Sequence, residues 1–189
     1  MGEQRINTKA SFAEFVAGVC SQLGIPEDYG LKRRLSLQQE CSHPVSIGPD
    51  VFEREQFMLH GAAKAWRQMQ KAAAQENIQL LVVSAFRPVD YQAGIVKRKL
   101  DNGLSIEEIL KVSAAPGYSE HHSGRALDIT TPGFDALEEV FETSAAFAWL
   151  LKNAARFEFR LSYPRDNPHG VAYEPWHWYW LGPDQNRVI

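Results

Sequence analysis

Residues 119–128 read Ser119-Glu120-His121-His122-Ser123-Gly124-Arg125-Ala126-Leu127-Asp128, and Glu174-Pro175-Trp176-His177 follows late in the chain. A catalytic zinc site commonly uses three imidazole or carboxylate ligands and keeps one position for water. Asp128, His177 and one of the adjacent pair His121 and His122 make such a set. The distance along the chain from either histidine to Asp128 is too long for two ligands one helical turn apart, so it suits a loop that runs into a strand. Ser123-Gly124 predicts a turn, because glycine accepts backbone angles that other residues resist. Ala126 to Thr130 then alternates as a strand, with Leu127 and Ile129 toward a core and Asp128 on the other face with Ala126. Pro175 biases Glu174 away from helix. A turn there sets its carboxylate beside a metal held by His177, where it can take the proton of a water attacking a carbonyl.

The rest of the composition bounds the setting. A chain of 189 residues suffices for one domain with a sizeable core. Its formal charge of -3 provides no general basic field, so nucleic acid is not an expected partner. No apolar run is long enough for a membrane-spanning segment. Polar residues interrupt Phe12 to Val19, which does not read as a secretory leader. Cys20 and Cys41 are expected to be unpaired, since a core of this size does not require a disulfide.

Along the chain, Phe12, Phe15, Val16, Val19, Cys20 and Leu23 recur at helical spacing behind Ser11, and Gly24 and Pro26 end that helix. Residues 25–50 read as an irregular connection. One long helix is expected from Asp50 to Glu76, with Ala62, Ala65, Trp66 and Met69 on its apolar side. Leu80 to Val83 is a buried strand. Arg87 sits where that strand breaks, a place from which its rigid fork can grip a carboxylate. A helix from Asp90 to about Leu100 carries Gln92, which can hold substrate or order Arg87, and Lys97-Arg98-Lys99, read as a solvated face. Ser105 caps a short helix through Lys111. Two short helices, Phe134 to Phe141 and Ser144 to Ala155, precede a strand over Phe157 to Leu161. The last strand places His177 and Tyr179 on one face and Trp176, Trp178 and Trp180 on the other. His43, His60 and His169 are read as surface or packing residues.

Together these segments resemble the VanY-type D-alanyl-D-alanine carboxypeptidases, a family that includes L,D-carboxypeptidases of peptidoglycan tetrapeptides. Its S-x-H-x-x-G-x-A-x-D pattern is matched by Ser119, His121, Gly124, Ala126 and Asp128, and its E-x-W-H by Glu174, Trp176 and His177. Its S-G-Y-R-S type segment corresponds to Ser84-Ala85-Phe86-Arg87-Pro88, with Gln92 at the family offset. Its G-F-x-x-R-Y-P type segment corresponds to Glu158 through Pro164, where Glu158 and Ser162 replace the glycine and the arginine. The resemblance runs over residues 50–181.

The resemblance implies an α+β fold of the hedgehog/D-Ala-D-Ala peptidase type, a small, mainly antiparallel sheet packed with helices. It implies Zn2+ held by His121, Asp128 and His177, Glu174 as catalytic base, Arg87 at the reacting carbonyl or carboxylate, and Gln92 and Ser119 as further substrate contacts. The implied substrate is a peptidoglycan stem peptide that loses a C-terminal D-alanine. The alternatives are a peptidoglycan endopeptidase, a D-Ala-D-Ala dipeptidase, or a zinc-bearing binding domain in which His122 or His169 fills the fourth metal position. The implied location is the periplasm or cell envelope if a leader was removed, and the cytoplasm otherwise. Residues 1–49 are expected as an N-terminal helix and irregular extension, and 50–189 as the zinc peptidase domain, the two forming one compact unit.

Overall fold

Two antiparallel sheets organise residues 11–182, the part of the chain that the computed structural model describes. β1 (Val45–Pro49) and β2 (Glu55–Met58) form a hairpin. β3 (Leu81–Ser84), β4 (Ala126–Thr130), β5 (Phe159–Leu161) and β6 (His177–Trp180) make a four-stranded sheet in the order β3-β4-β6-β5, antiparallel throughout. The helices are α1 (Phe12–Gln22), α2 (Tyr29–Arg33), α3 (His60–Gln75), α4 (Val89–Asp101), α5 (Ile106–Val112) and α6 (Ala145–Asn153). The α+β class that the resemblance implies is the one observed.

One face of the large sheet supplies Leu127, Ile129, Trp178 and Trp180 to the main core, where they join Trp66 and Met69 of α3 and Leu150 of α6. Each large apolar side chain buried there contributes about 1.5–3 kcal/mol. α3 approaches the sheet closely because its inner face is small: Ala62, Ala63 and Ala73 are fully buried, and a Cβ on Gly61 would lie 2.6 Å from the Trp180 ring. The other face of β4 is covered as well, so Asp128 is only 4% exposed and needs partners inside the protein.

A second core joins the N-terminal residues to the segment ahead of His121. Val16 and Cys20 of α1 pack with Ile25, Tyr29, Leu110 and Ala115. The extended stretch after α2 bonds to the same segment: Gln38 N–H donates to the Gly117 carbonyl and Cys41 N–H to the His122 carbonyl, both at 2.8 Å. Residues 1–10 and 183–189, the outer ends of the two segments expected from the sequence, lie outside the described residues.

Asp50 to Glu76 is not one helix. Helix α3 starts only at His60, and the residues before it form the β1–β2 hairpin. The Asp50 carboxylate accepts from Phe52 N–H at 2.8 Å, Arg54 N–H at 3.0 Å and the Gln56 side-chain amide at 2.8 Å. A side chain that binds local amides in this way competes with helical hydrogen bonding. The expected helix over Phe134 to Phe141 is likewise replaced by turns and a short 3-10 segment, Glu139–Thr143. Cys20 and Cys41 are both free thiols, and no helix among the described residues is long and apolar enough to cross a membrane.

Candidate metal centre

Strand pairing builds the site. β4 and β6 run antiparallel with Asp128 directly opposite His177, so their side chains emerge side by side on the face away from the main core. The turn before β6 is pinned by His177 N–H to the Glu174 carbonyl at 3.1 Å and by Ile129 N–H to the Trp176 carbonyl at 2.9 Å. That turn carries Glu174 to the same face, its Oε2 3.8 Å from His177 Nδ1. Trp178 and Trp180 are buried in the core, whereas Trp176 is half-buried beside the cleft.

His121 arrives on a single 3-10 turn, Glu120–Ser123, that Gly124 ends at φ +68°. A Cβ at that position would stand 2.8 Å from the Leu59 backbone nitrogen, so close approach and backbone angle both require glycine there. The turn lies against the exit of β3. His121 Nδ1–H donates to the Ala85 carbonyl at 2.6 Å, and Arg87 N–H to the His121 carbonyl at 3.3 Å.

His121, Asp128 and His177 each offer one donor atom, and these atoms lie within 4.8 Å of one another. With Nδ1–H committed to Ala85, His121 Nε2 presents a lone pair. It is buried without a hydrogen-bond partner, although Asp128 Oδ2 is only 3.3 Å away. Two acceptors that face each other in a buried site call for a cation between them. Their separation is the distance, about 3.3 Å, between two ligands of one tetrahedral zinc ion. His177 Nδ1 is 3.0 Å from Asp128 Oδ1 on the other side. The donor set fits zinc.

The charges follow the same geometry. Burial, then the Arg87 charge, lowers the His121 pKa to about 4, so the ring is neutral. Burial works against ionisation of Asp128, but the hydrogen bond and charge of His177 hold the carboxyl below its usual range. Burial also opposes a charged His177, yet its bonds to Asp128 and Glu120 raise it to about 10 in the metal-free protein. Burial pushes Glu174 up to about 7, the range suited to a general base near neutral pH.

His122 is excluded as a ligand by its own bonds. Its Nδ1–H donates to the Arg87 carbonyl at 2.6 Å, and its Nε2 accepts from Gly117 N–H at 3.0 Å. His169 is likewise engaged away from the site, its Nδ1 lying 3.1 Å from the Arg33 carbonyl. Arg87 lines the cleft with Nη2 3.8 Å from Asp128 Oδ2 and its Nε unpartnered. Gln92 is buried in the cleft wall; its amide donates to the Ala114 carbonyl at 2.8 Å and its Oε1 has no partner. Ser119 lines the same small cavity.

Two residues escape the sequence reading. Glu120 Oε2 accepts from His177 Nε2–H at 2.9 Å, and Arg160 Nη2 stands 3.5 Å from Glu120 Oε1. A carboxylate on the far nitrogen of a ligating imidazole fixes the ring and frees Nδ1 for a metal. Only the pairing of β6 with β4, the strand that the turn leads into, shows this, since Glu120 and His177 are distant in sequence. Lys99, read as part of a solvated face, is half-buried in the cleft wall, while Lys97 and Arg98 are exposed as expected. Glu120→Gln is expected to weaken zinc binding about 10–100-fold with the fold intact, measured by competition with a chromogenic chelator; unchanged affinity would remove Glu120 from the metal centre.

The family described as VanY, D-alanyl-D-alanine carboxypeptidase, matches residues 55–183. The chain belongs to this family. YodJ of Bacillus subtilis (strain 168), which bears the provisional name of a carboxypeptidase, is 34% identical over 154 residues, 75% of this chain and 55% of YodJ. The chain thus spans little more than half the length of that relative. Among solved structures, the LdcB LD-carboxypeptidase, described in terms of peptidoglycan recognition, is 32% identical with a TM-score of 0.68 over 76% of this chain and 70% of LdcB. A vancomycin-resistance D,D-pentapeptidase VanY solved with Zn(II) shares the fold, with a TM-score of 0.57 at 24% identity over 77% of this chain and 87% of that one. The resemblance read from the two motifs is therefore borne out.

Proposed function

We propose that the protein is a zinc carboxypeptidase that removes a C-terminal D-alanine from peptidoglycan stem peptides. The observation that carries this reading is the unpartnered His121 Nε2 facing Asp128, with His177 and the raised carboxyl of Glu174 beside it. His121, Asp128 and His177 hold the ion. Zinc in that position supplies a Lewis acid and lowers the pKa of water. Glu174 takes the proton from the attacking water and returns it to the leaving amine. Arg87 directs its guanidinium to the carbonyl oxygen or carboxylate next to the cut, and Gln92 and Ser119 bind the departing residue.

The shape of the cleft favours removal of one small residue. A cavity of about 50 Å3 lies on the side of Gln92, Ser119 and Tyr163. A larger one of about 510 Å3 extends past Lys99, Leu137 and Trp176. Arg87, Val112, Ser113 and Glu174 border both. The small cavity suits a methyl-bearing leaving residue and the larger one the remaining peptide. An endopeptidase or dipeptidase needs more room on the leaving side. A non-catalytic zinc domain needs a fourth ligand, and His122 and His169 are both engaged elsewhere. A substrate in peptidoglycan sets the site of action at the cell envelope, or in the cytoplasm on recycled fragments.

The test is to incubate zinc-loaded protein with stem tetrapeptides and pentapeptides and follow product masses. Loss of one D-alanine from either supports the assignment. No product from either, with zinc shown to be bound, overturns it. Loss of D-Ala-D-Ala as a unit moves the assignment to a dipeptidase.

A further inference from the structure

We infer that Lys99 forms, beside Arg87, a carboxylate-binding subsite for the part of the substrate that stays on the acyl side of the cut. The inference rests on the reading above in one respect, that the larger cavity takes the acyl-side peptide.

Lys99 stands on α4 in the wall of that cavity, which ends at Arg87, Asp128 and Glu174 and is flanked by Ile95, Leu137 and Trp176. Lys32 and Lys97 are exposed, and each is paired with an aspartate four residues away in sequence. Lys99 instead is half-buried and is held by a neutral group, its Nζ 2.7 Å from Ser113 Oγ. An ammonium has three N–H donors, so this bond leaves donors for a ligand. Burial, then the nearby Arg87 charge, pushes the Lys99 pKa down, and Glu174 partly offsets this. Two cations held on one wall of a cleft are relieved by an incoming anion, and a charged group bound there makes a strong hydrogen bond. The exposed acids that line the same cavity do not fill this role. Glu138 and Glu139 are exposed, and Glu139 pairs with Arg165 at 3.6 Å.

The ligand class is a peptide with a free carboxylate upstream of the scissile bond. Stem peptides offer two sources, the α-carboxylate of an isoglutamyl residue and the side-chain carboxylate of a diaminopimelyl residue. The experiment uses two peptide pairs. One differs in isoglutamate against isoglutamine at the second position, the other in diaminopimelate against lysine at the third. kcat/KM is measured for the zinc-loaded wild type, Lys99→Met, Lys99→Arg and Lys99→Glu.

The expected result is a wild-type preference of about tenfold for the carboxylate-bearing member of one pair, expressed mainly in KM. Lys99→Arg retains that preference, Lys99→Met brings the ratio near one, and Lys99→Glu reverses it. The pair in which this occurs identifies the source. Equal losses on all four peptides in Lys99→Met would show a structural role and overturn the inference, as would a wild type indifferent to both substitutions. Cleavage of the isoglutamine and lysine peptides keeps the carboxypeptidase reading intact whichever way Lys99 falls. If the wild type cleaves none of the four with zinc bound, that reading fails and the subsite fails with it.

Discussion

Glu174→Gln is expected to keep zinc at wild-type stoichiometry and to lose about 10³-fold in kcat, the middle of the range for a positioned acid-base group. The amide is isosteric with the carboxylate but cannot accept a proton, and Glu174 lies outside the cluster of three donor atoms. Metal content and turnover therefore separate in this variant. The pH profile adds a second readout. The base must be ionised to act, so activity rises with pH through its pKa. That carboxyl is lifted to about 7 by burial in the metal-free protein. A bound dication pulls it down, so the acidic limb of kcat/KM falls at or below that value. Residual activity in Glu174→Gln lacks this limb. Stopped assays from pH 4 to 9, run with metal analysis on the same samples, check both points. Full turnover in the amide variant would remove Glu174 from the chemistry.

His177→Ala is expected to abolish both zinc binding and turnover. The loss of affinity exceeds the roughly 10–100-fold expected for a supporting residue such as Glu120, because the proposed ligand itself is removed. The substitution also leaves Asp128 and Glu120 without the imidazole that joins them. Breaking one partner out of a buried charged pair costs about 3–5 kcal/mol. His177→Gln is therefore the companion variant, since its amide can still donate a hydrogen bond and the fold is retained. Zinc content after dialysis, with circular dichroism on the same sample, separates metal loss from unfolding. The wild type carries a further signature. In the metal-free protein the His177 proton is held to about 10 by Asp128 and Glu120, against the effect of burial. A ligand nitrogen must shed its proton, so each ion bound between neutral pH and that value releases one. Affinity then rises about tenfold per pH unit in this window, and calorimetry in buffers of different ionisation enthalpy measures the proton released.

Much of this site is legible in the chain because its parts are local. The Gly124 turn, the alternation that points Asp128 away from Leu127 and Ile129, and the turn at Glu174-Pro175 each follow from a few neighbouring residues. So does Arg87 at the end of β3. Local signals also misled. Ala62, Ala65, Trp66 and Met69 predict a helix correctly, but the same reading carried it back to Asp50. There, one carboxylate binding three nearby backbone and side-chain amides turns the chain into a hairpin. Lys99 follows the same logic in reverse. It sits in a basic run and looks solvated, yet the packing of α4 against the Ser113 segment draws it into the cleft.

By itself the sequence determined the α+β class, the family, the residue types of the metal centre and the carboxylate beside it. The class and the family rest on the likeness of the two motifs to the VanY-type pattern, and the residue types on short patterns whose spacing is visible along the chain. The choice between His121 and His122 rests in sequence on family likeness alone. The tertiary structure separates them physically, because His122 spends both ring nitrogens on the Arg87 and Gly117 backbone while His121 keeps one bare lone pair toward Asp128. Glu120 behind His177, and Lys99 along the larger cavity, were likewise decided only by folding. Each owes its setting to residues far away in sequence, brought near by the pairing of β4 with β6 and by the packing of α4.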